Sequence, residues 1–540
     1  MNVEKIKSDL RPEWTILVPT ALVVLGVALL CLIWPNEVGV VVKGARNAFI
    51  SATGGYWLWI SFALLAIMVF FIVTPYGNIK FGDKDDQPEF SAFSWFCMTF
   101  CTAVAGAVMY WGIVEPMDHL ATPPFGAEPL SRDAYRWALS FTLFREFYTW
   151  PWYLVTALPI CYFYHNRKKP FLRISQAATD VIGEKRAKGT TGRIFEILCA
   201  TGLILTNAGV IAVSVPMVAR AFAMAVGMEH TMTMNMVVLG ISTVIFATST
   251  GLGLEKGIKR LSEINVFIAI GLLTYGFIAG PTSFIVENFT YSVGNMIDNF
   301  FSIALWAEPY NPEGTVAQDW TIFSTIWMVT YAPVVGLFTA KISKGRTVRE
   351  VLLVLSVGST LGRFLIYGIY GGIMMGFQQN GTVDVIGIMH EAGYNPAMAA
   401  VMKGLPLGIA VLLVYCLFTT IFTSTSLDSS SYVIASSMCR RIDPSDEPTK
   451  VHRFFWAFAQ ASLGVGLIVI GGLGTMKAFA IMAGALMIIP VSIVIMGWFK
   501  MIKDEDYTAL KYRDLLERKG ETLPKDIREA AETVVNGSKA

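Results

Sequence analysis

Phe323, Trp327 and Tyr331 recur at four-residue spacing, so on a helix three aromatic rings line one face. They belong to the apolar run Trp320-Thr321-Ile322-Phe323-Ser324-Thr325-Ile326-Trp327-Met328-Val329-Thr330-Tyr331-Ala332-Pro333. Pro333 has no N–H and frees a backbone carbonyl about one turn earlier, near Val329. Inside a bilayer such a break is tolerable only against protein or a watery cavity. Rings beside a freed carbonyl suit a small organic cation, with quadrupoles for its ammonium and a dipole for a co-transported ion. The alternative is a lipid-facing aromatic helix, although aromatic residues normally gather at the membrane interfaces and not in a stripe.

A second stretch able to do chemistry is Phe144-Arg145-Glu146-Phe147-Tyr148-Thr149-Trp150-Pro151-Trp152-Tyr153. Two opposite charges inside an apolar span are costly unless they face the interior and are paired. Adjacent helical residues point about 100° apart, so Arg145 and Glu146 need not pair with each other. Glu146 shares a face with Trp150 and Tyr153, Arg145 with Thr149, and Pro151 opens more backbone. The charges are either a ligand or coupling site, or a buried packing pair. A third stretch, Phe422-Thr423-Ser424-Thr425-Ser426-Leu427-Asp428, offers hydroxyls and carbonyls to a hard cation such as Na⁺. Its alternative is helix packing by small residues.

The elements that carry these residues are membrane spans. Of 540 residues, 54% are hydrophobic and 15% charged, and the mean hydropathy is +0.55. That is far from the soluble balance of about a quarter charged. Apolar runs of about 20 residues predict spanning helices near 14–35, 56–74, 93–115, 138–165, 194–225, 232–251, 261–286, 318–340, 351–378, 405–438, 453–473 and 477–499. The expected fold is an all-α polytopic membrane protein with twelve transmembrane helices. The first run lacks a small-residue cleavage site and reads as a retained helix. The longest hydrophilic piece is the tail after Met501, which reads as a short amphipathic helix and then a disordered end.

Basic residues cluster in Asn166-Arg167-Lys168-Lys169, Gly183-Glu184-Lys185-Arg186, Glu255-Lys256-Gly257-Ile258-Lys259-Arg260, Lys341–Arg349 and Cys439-Arg440-Arg441. The loops on this side, which include these segments, hold about two dozen basic residues against about half a dozen opposite, which places them and both termini in the cytoplasm. The net charge of +2 carries no nucleic-acid signature. Seven cysteines stand singly, without a CxxC pair, and five histidines are dispersed, so neither a structural metal nor a disulfide framework is expected. No Walker loop, GxSxG or dinucleotide fingerprint is present, which argues against ATP-driven transport and against an enzyme. A channel would need a continuous polar lining, and only the fourth run shows intramembrane charge of both signs. A sensor would need a sizeable soluble output domain. The third and eighth runs each carry small residues or a breaker mid-span, as in Thr102-Ala103-Val104-Ala105-Gly106-Ala107-Val108, which is the hint of two inverted repeats around a midplane site.

Three segments resemble the signature segments of the betaine/choline/carnitine transporter family. They are Tyr110-Trp111-Gly112-Ile113-Val114-Glu115-Pro116, Gly253-Leu254-Glu255-Lys256-Gly257-Ile258-Lys259-Arg260-Leu261-Ser262, and Trp320–Glu350 with its Ile342-Ser343-Lys344-Gly345-Arg346-Thr347-Val348-Arg349-Glu350 ending. The resemblance runs from about residue 14 to 500. It implies an amino-acid/sodium symporter-like fold, helices 3 to 12 forming two inverted five-helix repeats, a homotrimer, and alternating access in a bacterial inner membrane. The chain then divides into a cytoplasmic N-terminus (1–13), two peripheral helices (14–92), a first repeat (93–286), a periplasmic connection (287–317), a second repeat (318–499) and a cytoplasmic tail (500–540).

The resemblance implies a substrate site on helices four and eight, where the family cages a quaternary ammonium between aromatic rings. Trp327 matches a family tryptophan and Tyr331 keeps a ring, whereas Thr325 and Met328 stand at tryptophan positions. The family's His-Trp on helix four is Arg145-Glu146 here, the next cage positions fall on Pro151 and Leu154, and Trp150, Trp152 and Tyr153 lie one residue away. The candidate substrate residues are thus Trp327, Tyr331, Met328, Phe323, Glu146, Arg145, Trp150 and Tyr153. Phe422, Thr425 and Ser426 fall on a family sodium site, completed by backbone oxygens around Ala103 and Gly106, and Asn265 replaces the arginine of sodium-independent exchangers. The second family sodium site is less well kept, at Asn207 and Val210.

The expected function is a secondary transporter, Na⁺-coupled, importing a small ammonium compound of betaine, carnitine or choline type. No cofactor is expected beyond that coupling ion, and the partners are substrate, membrane lipid and further copies of the chain. A buried Glu146 could accept N–H bonds that a quaternary ammonium lacks, and Arg145 could fork onto carboxylate or sulfonate. An importer of a non-quaternary aminosulfonate or amino acid, and a sodium-independent antiporter, therefore stay open. The tail is mixed in sign, unlike the strongly basic tail of osmosensing relatives.

Overall fold

A computed structural model of the chain describes residues 9–537, apart from 105–107, 170–172, 254–256, 309–315, 443–445 and 520–522. Ten described helices are long and apolar enough to cross a membrane. Two further crossings are each described as two helices, span 4 divided at Thr149 and Trp150 and span 3 described on either side of residues 105–107, so the twelve expected spans are all present. Span 1 is Trp14–Ile33 and span 2 Pro35–Val73. Span 3 is Ala92–Val104 with Val108–Ala121, and span 4 is Arg132–Tyr148 with Pro151–His165. Spans 5 to 12 are Thr190–Val226, Met232–Leu252, Lys259–Ala279, Ala317–Ile342, Val348–Asn380, Gly408–Ser437, Lys450–Ile470 and Leu473–Asp504.

Contacts between loops check the count by parity. Segments that precede span 1 or follow an even-numbered span must share one side of the membrane. Asp9–Pro12 pairs as an antiparallel strand with Cys439–Arg441, after span 10. Lys80, after span 2, bridges to Thr347, after span 8. Arg167, after span 4, pairs with Asp504 at the end of span 12. On the other side Tyr394, after span 9, donates to Asp118 at the end of span 3. No span can be added or removed singly without breaking this agreement.

Spans 3 to 12 pack as two halves that exchange partners. Span 4 packs on span 8, and span 9 on span 3; span 5 packs on spans 11 and 12, and span 10 on spans 6 and 7. Shifting each number by five converts one list into the other. Five crossings per half make the second half begin on the side where the first ended, so the two repeats are inverted.

Several boundaries differ from expectation. Span 2 begins at Pro35, well before residue 56, because proline is well placed in a first helical turn. Span 4 is not continuous: its first helix ends at Tyr148 and the second starts at Pro151, which supplies no N–H to the preceding turn. Span 7 ends at Ala279, where Gly280 and Pro281 stop it, and Thr282–Asp298 is a separate helix. Single intramembrane charges also lie in other spans, Glu115 in span 3 and Arg363 in span 9, while span 4 carries both signs in Arg145 and Glu146. Beyond Tyr507–Lys519 the tail forms a second amphipathic helix, Lys525–Gly537, in place of the disordered end.

The Ile342–Glu350 segment is a latch. Gly345 N donates to Phe81 O, Phe81 N to Arg346 O and Val348 N to Ile79 O, joining it to the loop after span 2. Gly345 has φ +77°, and a Cβ there would lie 2.6 Å from the Gln87 carbonyl carbon, so glycine is required on both counts. Arg346 stacks over Trp95 at 4.8 Å, and Trp95 donates to Ser343. Arg349 donates to Ile72 O, Thr74 O and Asn78 Oδ1 at 3.0, 3.1 and 2.6 Å. Thr347 and Glu350 cap the start of span 9 reciprocally. This segment of the resemblance thus holds two loops together.

Candidate functional site

Span 8 enters as a wide π-turn over Ala317–Ile322 and continues as an α-helix from Phe323 through Pro333 to Ile342. Pro333 does not end it, but its missing N–H still leaves the Val329 carbonyl without the usual donor. Phe323 meets Trp327 edge-on at 5.2 Å, and Trp327 lies parallel to Tyr331 at 6.5 Å. Trp111 of span 3 closes on Trp327 at 6.2 Å. Trp327 and Trp111 are only half-buried, whereas Phe323, Met328 and Tyr331 are buried. The Tyr331 hydroxyl donates to Asn207 Oδ1 at 2.6 Å, and Asn207 donates on to Gln460. Thr325 faces away, within 3.4 Å of Ser61 on span 2.

Arg145 and Glu146 do not stand alone. The Arg145 guanidinium forks onto Glu115 of span 3, Nε to Oε1 at 2.6 Å and Nη2 to Oε2, and Nη2 also meets Glu146. Its Nη1 donates to Ser324 at 3.0 Å, one turn before Trp327. Arg363 of span 9 reaches the other Glu146 oxygen. All four charged residues are at most 5% exposed. Two guanidiniums and two carboxylates from three spans therefore form a neutral buried quartet. Breaking such a set costs far more than its net contribution to stability.

Rings tie the quartet to the aromatic face. Arg363 lies over Trp150 and over Tyr367, each at 5.8 Å, and Trp150 meets Tyr153 edge-on at 5.4 Å. Trp320 lies against Trp111 at 5.9 Å and has Arg145 over its ring at 5.9 Å. The turn at Thr149 and Trp150 is what brings Trp150 and Tyr153 toward the quartet, while Trp152 turns away to Trp57 and Ser61 of span 2. Lys477 sits 3.7 Å over Trp320, beside a recess of about 240 Å³ that it lines with Asp118, Asp319 and Tyr394.

At the candidate cation site, Ser426 Oγ donates to Cys101 O at 3.0 Å and Phe422 O at 3.2 Å, and Thr425 Oγ1 to Phe422 O at 2.8 Å. Two hydroxyl and two carbonyl oxygens thus gather between spans 3 and 10. Ala103 follows in the same helix, and Gly106 lies outside the described residues. At the second candidate site the Asn207 oxygen is already taken by Tyr331.

The model of the betaine/carnitine/choline family transporters matches residues 15–507. The chain belongs to that family. The transporter is therefore a multi-pass membrane protein that moves small ammonium or zwitterionic compounds and is not an enzyme at the family level.

Sequence reasoning on the transporter missed Arg363, the pairing role of Glu115, Trp111, Trp320 and Lys477. Arg363 and Lys477 did leave a signal, as single basic residues in or at the edge of an apolar run. The half-buried Trp327 gives a direct test. Trp327→Ala should weaken substrate binding by about 1–2 kcal/mol through lost cation–π contact and packing. Unchanged affinity in a detergent binding assay would remove Trp327 from the site.

Proposed function

We propose that the transporter imports a small zwitterion whose ammonium rests on Trp327, Tyr331, Trp111 and Phe323 while its anionic end meets Arg145 or Arg363. The observation that carries this reading is the position of Arg145, bonded to Ser324 one turn from Trp327. One turn is about 5.4 Å, a separation suited to a compact zwitterion. Glu146 is engaged by two guanidiniums, so it neutralises arginines and the rings take the ammonium. A thermal-shift panel of betaine, carnitine, choline, ectoine-like and aminosulfonate ligands tests this. The zwitterions should stabilise the protein more than choline, which lacks an anionic end. Equal or stronger stabilisation by choline would overturn the reading.

The oxygen set of Phe422, Thr425, Ser426 and Cys101 supports Na⁺ coupling, because Na⁺ takes hydroxyl and carbonyl ligands and Asn265 brings no competing charge. With N-terminus and tail cytoplasmic, as the basic loops indicate, import follows the sodium gradient. Proteoliposomes should accumulate substrate only with Na⁺ outside. Accumulation undiminished in potassium buffer would favour exchange. The homotrimer that family membership implies is checked by the mass of the detergent-solubilised particle.

A further inference from the structure

His119 is completely buried on span 3, one turn beyond Glu115, and has no function in the reading so far. Its ring packs edge-on against Phe141 at 5.0 Å and Trp320 at 5.4 Å. Its Nε2 lies 3.6 Å from Glu115 Oε1, and neither ring nitrogen has a hydrogen-bond partner among the described residues. Such an imidazole is expensive to bury unless it gains a partner in another state. Histidine is also the side chain that most readily changes charge near neutral pH.

The charge count around it is informative. Arg145, Arg363, Glu115 and Glu146 sum to zero, so the buried set is balanced only while His119 is neutral. A zwitterion is neutral as a whole, but it brings its carboxylate or sulfonate to an arginine while its ammonium stays on the rings, and a proton on His119 offsets that local negative charge. Protonated His119 would also donate to Glu115 and draw that carboxylate from Arg145, leaving guanidinium N–H groups for the incoming anion. Other charged or titratable groups near this position are Asp118 on the same helix, held by Trp320 and Tyr394, and Lys477 and Asp319, which gather around Trp320, while Tyr367 on span 9 faces the quartet.

We infer that His119 takes up a proton together with the anionic group of the substrate, competing with Arg145 for Glu115. This rests on the reading that an arginine of the quartet receives that group. Proton and substrate then strengthen each other's binding reciprocally.

The test titrates purified full-length protein in detergent with betaine, carnitine and taurine, and with choline as the cation that lacks an anionic end. From pH 8 to pH 6 the affinity for the zwitterions should rise, by about tenfold per pH unit at most for one linked proton. Choline affinity should not rise. His119→Gln should abolish the slope while keeping choline binding and monodispersity, which shows that it is folded. An equal slope in His119→Gln, or pH-independent zwitterion binding by the unaltered protein, overturns the inference and leaves the substrate reading standing. Absence of zwitterion binding at both pH values overturns the substrate reading, and this inference with it.

Discussion

Glu146→Gln should destabilise the protein by about 3–5 kcal/mol, the cost of leaving a buried charge uncompensated. It should also weaken all substrates alike, methylated or not. Glu146 is the carboxylate shared by Arg145 and Arg363, and its removal leaves two guanidiniums facing one remaining acid, Glu115. Thermal melting measures the stability loss, and competition between matched methylated and unmethylated amines measures selectivity. A loss confined to ligands with N–H donors would mean that Glu146 contacts the substrate directly. Because the quartet acts as a unit, Glu146→Gln combined with Arg363→Gln should be less damaging than the sum of the two single changes.

The second large effect lies outside the site. Arg349→Ala should cost about 2–3 kcal/mol, since hydrogen bonds from a charged group contribute about 1.5–3 kcal/mol each and the side chain is only partly buried. Two carbonyls at the end of span 2 and the Asn78 amide oxygen lose their shared donor. Arg349→Lys should recover little, because an ammonium cannot present the guanidinium fork to three separated acceptors. The measurement is the melting temperature together with proteolytic sensitivity of the loop after span 2. A melting temperature within error of the unaltered protein would show that the latch is held by its backbone bonds alone.

The spans were legible because about 20 consecutive apolar residues have few alternatives, and the Phe323, Trp327 and Tyr331 face followed from helical spacing. Pro151 announced the opening in span 4, although not that the chain would divide into two helices there. The partners of Arg145 and Glu146 were not legible. Glu115 and Arg363 are distant in sequence, and only the packing of spans 3, 4 and 9 brings them together. Glu115 was visible as part of a motif, which concealed its role as a counter-ion. The separate helix at Thr282–Asp298 was hidden because its apolar residues continue the run of span 7 across Gly280 and Pro281. Ile342–Glu350 was legible as part of a family resemblance, whereas its residues are explained by a positive φ, a capping box, two backbone carbonyls and the Asn78 amide.

The exchange of partners between the halves has a consequence for biosynthesis. Glu146 leaves the ribosome five spans before Arg363, and span 4 must wait for span 8 before its main packing surface exists. A nascent chain that has inserted only the first repeat therefore holds Arg145 with two carboxylates, an excess of buried negative charge, beside an uncovered helical face. Such an intermediate is suited to retention at the insertion machinery or to shelter by a chaperone until the second repeat arrives. Ribosome-stalled chains ending before Arg363 should stay crosslinkable to that machinery, and chains extended past span 9 should be released.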